Sequence, residues 1–163
     1  MQYYFKKGIT WSALTSKKLS LRLTNEGNII TGAGYGLFND NMSLLPIMGI
    51  LNSKVIEKLV KSLSQTLNFE VGVLEQIPII IPNDEDVEKT VIENIEISKQ
   101  DWDSFETSWD FQIHPLIKEK EKFHYGEIGG KEYKLSDCYN HWKDSTEMSF
   151  NKLKENEEKL NEI

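Results

Sequence analysis

Charge is divided unevenly along this chain, and the division limits where a core can form. Residues 1–82 hold eight Lys/Arg and five Asp/Glu, a balance of +3, whereas residues 83–163 hold eleven and twenty-one, a balance of −10. So acidic a second half is expected as a solvated helical region beside one real core supplied by the first half. Apolar residues at 39% fit that division, and seven Phe, six Tyr and four Trp argue against disorder. The net charge of −7 speaks against nucleic acid as a partner of the whole surface. Any polyanion should meet the first half.

The first half reads as α/β. Leu19–Thr24 alternates with period two, as a half-buried strand does, and Asn25-Glu26-Gly27 turns the chain into a second strand at Asn28–Thr31. Ile9-Thr10-Trp11 is a third, being β-branched and aromatic. Asp40–Ser43 supplies capping residues for one helix from about Leu44 to Ser64, with Pro46 tolerated in its first turn. Its apolar stripe runs Leu44, Ile47, Met48, Leu51, Val55, Leu59, Leu63, with Lys54, Lys58 and Lys61 off it. Thr66–Gly72 and Ile77–Pro82 are expected as short extended segments, the second an edge strand or the end of the domain because of its two prolines.

The acidic half reads as helices. Asn83–Asp86 starts one, with Val87, Val91 and Ile95 on one face. Ser98-Lys-Gln-Asp101 has the form of a capping box and predicts a new helix on which Trp102, Phe105 and Trp109 stack. His114-Pro115 ends it, and Gly126–Gly130 is a loop. A last long helix has Leu135, Tyr139, Trp142, Leu153, Leu160 and Ile163 on its seam, shared with the polar Thr146, Ser149 and Asn156. It is expected to continue past the end of this sequence. The organisation predicted is thus a mixed-sheet α/β domain over 1–82 and a helical, coiled-coil-like spacer over 83–163.

Enzyme chemistry finds little support in the motifs. Thr31–Phe38 reads TGAGYGLF, but the sixth position of a dinucleotide loop is Leu37, no Gly-Lys-Ser/Thr follows, and no helix opens on the glycines. Glycines at positive φ in a hairpin or bulge are the expectation there. Cys138-Tyr-Asn-His141 with His124 offers at most three ligands where zinc wants four in clustered pairs. A Cys/His nucleophile pair lacks a third group, so a packed Cys138 on the helix seam is expected. Asp101, Asp103, Glu106 and Asp110 read as a solvated face beside tryptophans rather than a metal or acid/base site. A lone cysteine forms no internal disulfide, the start of the chain has no secretory h-region, and no run approaches a membrane span. A cytoplasmic setting without membrane association is therefore expected. The set worth pursuing is basic and aromatic: Lys6, Lys7, Trp11, Lys17, Lys18, Arg22 and Tyr35 fall near expected strand ends and turns. Lysine and arginine there can neutralise phosphates while loop residues read base edges.

Several segments, in order, resemble a known family: Phe5-Lys-Lys-Gly-Ile-Thr-Trp-Ser12; Asn28-Ile-Ile with Gly36-Leu-Phe38; Leu51-Asn-Ser-Lys-Val-Ile56; Leu67-Asn-Phe-Glu-Val-Gly72 before Ile77-Pro; and Asp101-Trp-Asp-Ser-Phe-Glu-Thr-Ser-Trp-Asp-Phe111. They resemble the C-terminal, target-recognition region of the adenine-specific DNA methyltransferases of BREX phage-defence systems (PglX type), and more loosely type IIG restriction–modification enzymes. Lys152–Glu162 is similar to the helix that follows in that family. The resemblance implies a non-catalytic piece of an enzyme that moves a methyl group from S-adenosylmethionine to adenine in double-stranded DNA. The family's Asn/Asp-Pro-Pro-Tyr/Phe motif has no counterpart here, because the prolines at 46, 78, 82 and 115 are never adjacent. No catalytic, cofactor-binding or metal residue carries over. The implied partners are double-stranded DNA, the catalytic domain of the same parent chain and other defence-system proteins. The alternative function is a protein-interaction platform within the defence complex.

Overall fold

Gly8–Ser12 forms β1, the central strand of an antiparallel sheet, with β2 (Arg22–Thr24) on one side and β3 (Gly34–Leu37) on the other. The structure, a computed structural model, describes residues 3–16, 18–63, 68–82, 85–124 and 134–162. Lys17, Thr66, Leu67, Asn83, Asp84, the loop expected at Gly126–Gly130 and Ile163 lie outside them. The described chain divides into two compact units, 1–92 with 157–163, and 93–156.

In the first unit the register sorts the sheet into two faces. Ile9 stands opposite Leu23 and Leu37, and Trp11 opposite Tyr35, so these side chains share one face. Thr10 stands opposite Arg22 and Gly36, and Ser12 opposite Gly34, on the other. Ile9 and Trp11 are buried to 0% and 2% exposure, which makes the first face the core face. Beyond the sheet, Leu14 bridges Asn68, and the Phe69 N–H donates to the Ala13 carbonyl at 2.9 Å.

The expected α/β class, with a helical C-terminal part, describes this chain; the sheet is antiparallel throughout. Several elements differ from the sequence reading, each for a non-local reason. Leu19 and Leu21 are buried as alternation demands, but the ladder covers Arg22–Thr24 alone. The Leu21 N–H donates to Asn52 Oδ1 at 2.9 Å, and Asn52 Nδ2 donates to the Leu21 carbonyl at 3.1 Å. Asn52 thus binds the backbone of Leu21 just before β2, and it sits where the expected single helix divides into α1 (Leu45–Leu51) and α2 (Lys54–Leu63). Val71–Leu74 is a single helical turn, α3, in place of extended chain. Ile77–Pro82 forms no strand, and Ile80 is exposed; prolines at 78 and 82 withhold ladder donors.

The strand expected at Asn28–Thr31 is absent, and the glycine stretch after it supplies β3 instead. Its glycines answer to space rather than to φ. Gly27, in the preceding turn, is the one described glycine with positive φ, at 90°. A Cβ on Gly36 would lie 2.6 Å from Ile30 Cδ1 and 2.7 Å from Phe38 Cε2. Ile30 and Phe38 therefore close over the small-residue face of the sheet, and a larger residue at 36 would push them off. Gly32, in the turn before β3, has nothing within 4 Å.

In the second unit, α4 (Glu85–Trp102, begun in the first unit) runs through Ser98 without a break. The capping box there has nothing to cap, because residues inside a growing helix already have their N–H groups bonded. Residues 103–110 follow as turns rather than the expected helix. His114-Pro115 opens α5 (Pro115–His124) instead of closing a helix: His114 Nδ1 accepts the Leu116 N–H at 3.2 Å. α6 (Leu135–Glu162) is the long helix expected, but its buried line runs through Cys138 and Asn156 while Leu135 and Tyr139 are exposed. Asn156, 1% exposed, is satisfied by donating to Glu93 Oε2 at 2.7 Å.

Glu119 joins α5 to α6. It is buried, with one oxygen 2.5 Å from His141 Nδ1 and the other accepting from Lys122 Nζ at 2.7 Å. Burial pushes its carboxyl up, but the hydrogen bond and charge of Lys122, then those of His141, pull harder and leave it below the ordinary value of 4.5. A carboxylate lowered on folding stabilises the fold fully above its unfolded pKa, and that stability is lost as pH falls through the folded value. Acid destabilisation is expected below about pH 4.5, and Glu119→Gln should remove part of it in thermal melts, with an unchanged acid limb contradicting this. In the sheet, Gly36→Ala should cost about 1–3 kcal/mol through overpacking. Gly32→Ala should be neutral or stabilising by about 0.4–1 kcal/mol, so equal effects in denaturant titrations would refute the spatial reading.

Candidate nucleic-acid interface

Seven basic and aromatic residues are expected from sequence to touch a polyanion, and the fold treats them differently. Trp11 is core: its indole Nε1–H donates to the Phe69 carbonyl at 2.8 Å, leaving neither ring face nor donor open to a ligand. Tyr35 is half-buried with its ring centroid 5.8 Å from that of Trp11, tilted by 43°. The two are brought together by strand register as a cross-strand aromatic pair.

The cations lie at its margins. Lys6 precedes β1 and is paired with Asp40 Oδ2 at 2.5 Å, so part of its charge is already answered. Lys7 is exposed beside it. Arg22 sits at the start of β2 on the small-residue face, exposed, its Nη2 donating to Ser12 Oγ at 3.1 Å. On that face Thr10 Oγ1 donates to the Tyr35 carbonyl at 2.9 Å. Lys18 is exposed, and its field reaches α2: Lys61's hydrogen bond, working against burial, holds Glu57 below the usual carboxylate range, with Lys18 and Lys54 adding to the pull. Lys17 lies outside the described residues.

Sequence reasoning passed over the residues just before Lys6. Tyr3 stacks on Phe38 at 5.2 Å, while Tyr4 and Phe5 meet edge to face at 6.4 Å. Both of the latter are exposed, Tyr4 at 46% and Phe5 at 58%. Phe5 has φ = 66°, the one positive value among described non-glycine residues. A bulky side chain there costs on the order of 1–3 kcal/mol and persists only where its surroundings over-determine it. Two backbone bonds do so: the Phe5 N–H donates to the Asn28 carbonyl at 3.0 Å, and the Gly27 N–H donates to the Phe5 carbonyl at 3.1 Å. The visible signal was a Tyr-Tyr-Phe run abutting two lysines; the backbone geometry that turns it outward depends on a turn more than twenty residues on.

The second unit presents a different surface. Lys99 Nζ bonds Asp103 Oδ2 at 2.5 Å and Asp110 Oδ2 at 2.6 Å, and Ser108 Oγ donates to Asp103 Oδ1 at 2.6 Å. Lys99, then Ser108, hold Asp103 below its ordinary range, and both carboxylates raise Lys99. With the polar groups drawn into this knot, Trp102, Phe105 and Trp109 stand exposed, Trp109 completely. They do not form the helical stack expected of their spacing. Asp103 and Asp110 serve this knot, and Cys138 is buried while its motif partner His141 engages Glu119. Among the described residues no three His, Cys, Asp or Glu come together as a metal ion would need. None of the described helices is long and apolar enough to cross a membrane.

No family model matches the chain. It is 30% identical over 163 residues, 99% of its own length, to the adenine-specific methyltransferase PglX of Lacticaseibacillus casei (strain Zhang). It is 37% identical over 121 residues, 72% of its length, to the adenine-specific methyltransferase BrxX of Escherichia coli O9:H4 (strain HS). The chain spans only 13% and 10% of those two proteins. It is thus related, over most of its length, to a small part of adenine-specific methyltransferases of the PglX and BrxX kind.

Proposed function

We propose that this chain is the target-recognition part of an adenine-specific DNA methyltransferase in BREX phage defence. Residues 1–82 hold double-stranded DNA, and residues 83–163 form a helical spacer facing protein. The methyl transfer, and the S-adenosylmethionine it consumes, belong to a catalytic domain elsewhere in the parent enzyme. The observation that carries this reading is charge placement: residues 1–39, which build the sheet, hold five Lys/Arg and a single acidic residue, Glu26. Exposed Lys7, Lys18 and Arg22 lie around the sheet, where they can neutralise phosphates and fix register. Relatives named as adenine-specific methyltransferases supply the reaction in whose service DNA would be held. An enzyme acting on a base inside a duplex must take it out of the stack, so a recognition part has to grip the flanking DNA while this happens.

A second reading, a protein-interaction platform within the defence complex, is favoured by the exposed Trp102, Phe105 and Trp109 on the acidic half. The two separate in the parent enzyme. Under the recognition reading, Lys7→Ala and Arg22→Ala each reduce the slope of log K against log salt for DNA by about 0.9 per lost phosphate contact. Lys6→Ala does less, since Asp40 already holds that ammonium. An unchanged slope in all three removes them from the phosphate contacts. Trp109→Ala should leave methylation intact under the recognition reading, and lost complex assembly with normal methylation would instead favour the platform.

A further inference from the structure

Phe5 combines three properties that packing does not explain. Its backbone is left-handed at φ = 66°, its ring is 58% exposed, and among the described residues its ring neighbour is Tyr4, itself 46% exposed. A strained residue that fills the core is repaid by burial; this one is not. The strain is held by two backbone hydrogen bonds to the turn at Gly27 and Asn28, and Gly27 is itself at φ = 90°. The result is a backbone tied at Phe5 by two hydrogen bonds, with two exposed aromatic rings directly before Lys6 and Lys7. Fixed presentation of this kind lowers the ordering cost of binding. The neighbouring charges are selective too: Lys6 is occupied by Asp40, while Lys7 is exposed. An exposed apolar ring two residues before an exposed lysine matches a ligand that is flat, aromatic and anionic, as a nucleobase with its phosphate is.

We propose that Phe5, with Tyr4, is a stacking platform for a base that has left the duplex stack, and that Lys7 holds the adjoining phosphate. This rests on the DNA reading above and adds to it a preference for unstacked bases. A fully paired helix offers these rings no base face, whereas a bulged or extruded base does.

The test uses the 163-residue chain and two short synthetic duplexes, one fully paired and one carrying a single unpaired adenine, with affinities measured across salt. The expected result is tighter binding of the bulged duplex. Phe5→Gly should lose roughly 5- to 100-fold on that probe while leaving the paired duplex and the salt slope unchanged. Glycine adopts φ = 66° freely, so this variant should melt no lower than the parent chain, which separates lost stacking from lost folding. Lys7→Ala should weaken both probes alike. Phe5→Gly binding both probes as the parent does, or weakening both equally, would overturn the stacking platform and leave the DNA reading standing. No binding of either probe by the unsubstituted 163-residue chain would overturn both.

Discussion

The first unit is organised by the burial of Trp11 on the central strand. An indole brings a large apolar surface and one obligatory donor, so burying it pins two things at once: the sheet's core face and the segment that accepts its N–H. Here that acceptor is the Phe69 carbonyl, 58 residues away, at 2.8 Å. With Trp11 inward, the period of two puts Ile9 inward and Thr10 and Ser12 outward. The antiparallel register then carries Tyr35 and Leu37 to the core side, and Arg22, Gly34 and Gly36 to the other. Where Arg22 stands therefore follows from where one tryptophan is hidden.

Much of the architecture was legible because it was local. Ile9–Trp11 announced a strand by composition, Leu19–Thr24 announced burial by alternation, and the acidic second half announced helices by spacing. What escaped depended on distant partners. Nothing near Asn52 says that its amide will bind the backbone of Leu21 where one long helix becomes two. The glycines of TGAGYG read as a hairpin or bulge at positive φ until Ile30 and Phe38 are seen to close over Gly36. Trp102, Phe105 and Trp109 keep helical spacing, yet Lys99 gathers Asp103 and Asp110 into a knot and the chain turns instead.

The candidate site was legible in kind and less so in detail. A cluster of lysines and aromatics in the first 39 residues was evident, but sequence gives no sign that Trp11 is a core residue or that Lys6 is held by Asp40. Phe5 looked like one more aromatic before a lysine pair. Its meaning lies in a backbone angle, and a backbone angle held by a turn far along the chain leaves no local trace. The charge division noticed first in the sequence still organises the functional picture: a basic sheet region suited to phosphate, and an acidic helical region with exposed aromatics suited to protein.

That division of labour is open to one direct measurement. The parent methyltransferase, bound to duplex DNA carrying photoreactive 5-iodouracil, would be irradiated and its crosslinked peptides identified by mass spectrometry. The account predicts crosslinks within residues 3–38 and none within residues 99–111. Crosslinks concentrated on the Trp102–Trp109 surface, with the sheet region unlabelled, would contradict it and assign the DNA to the other half of the chain.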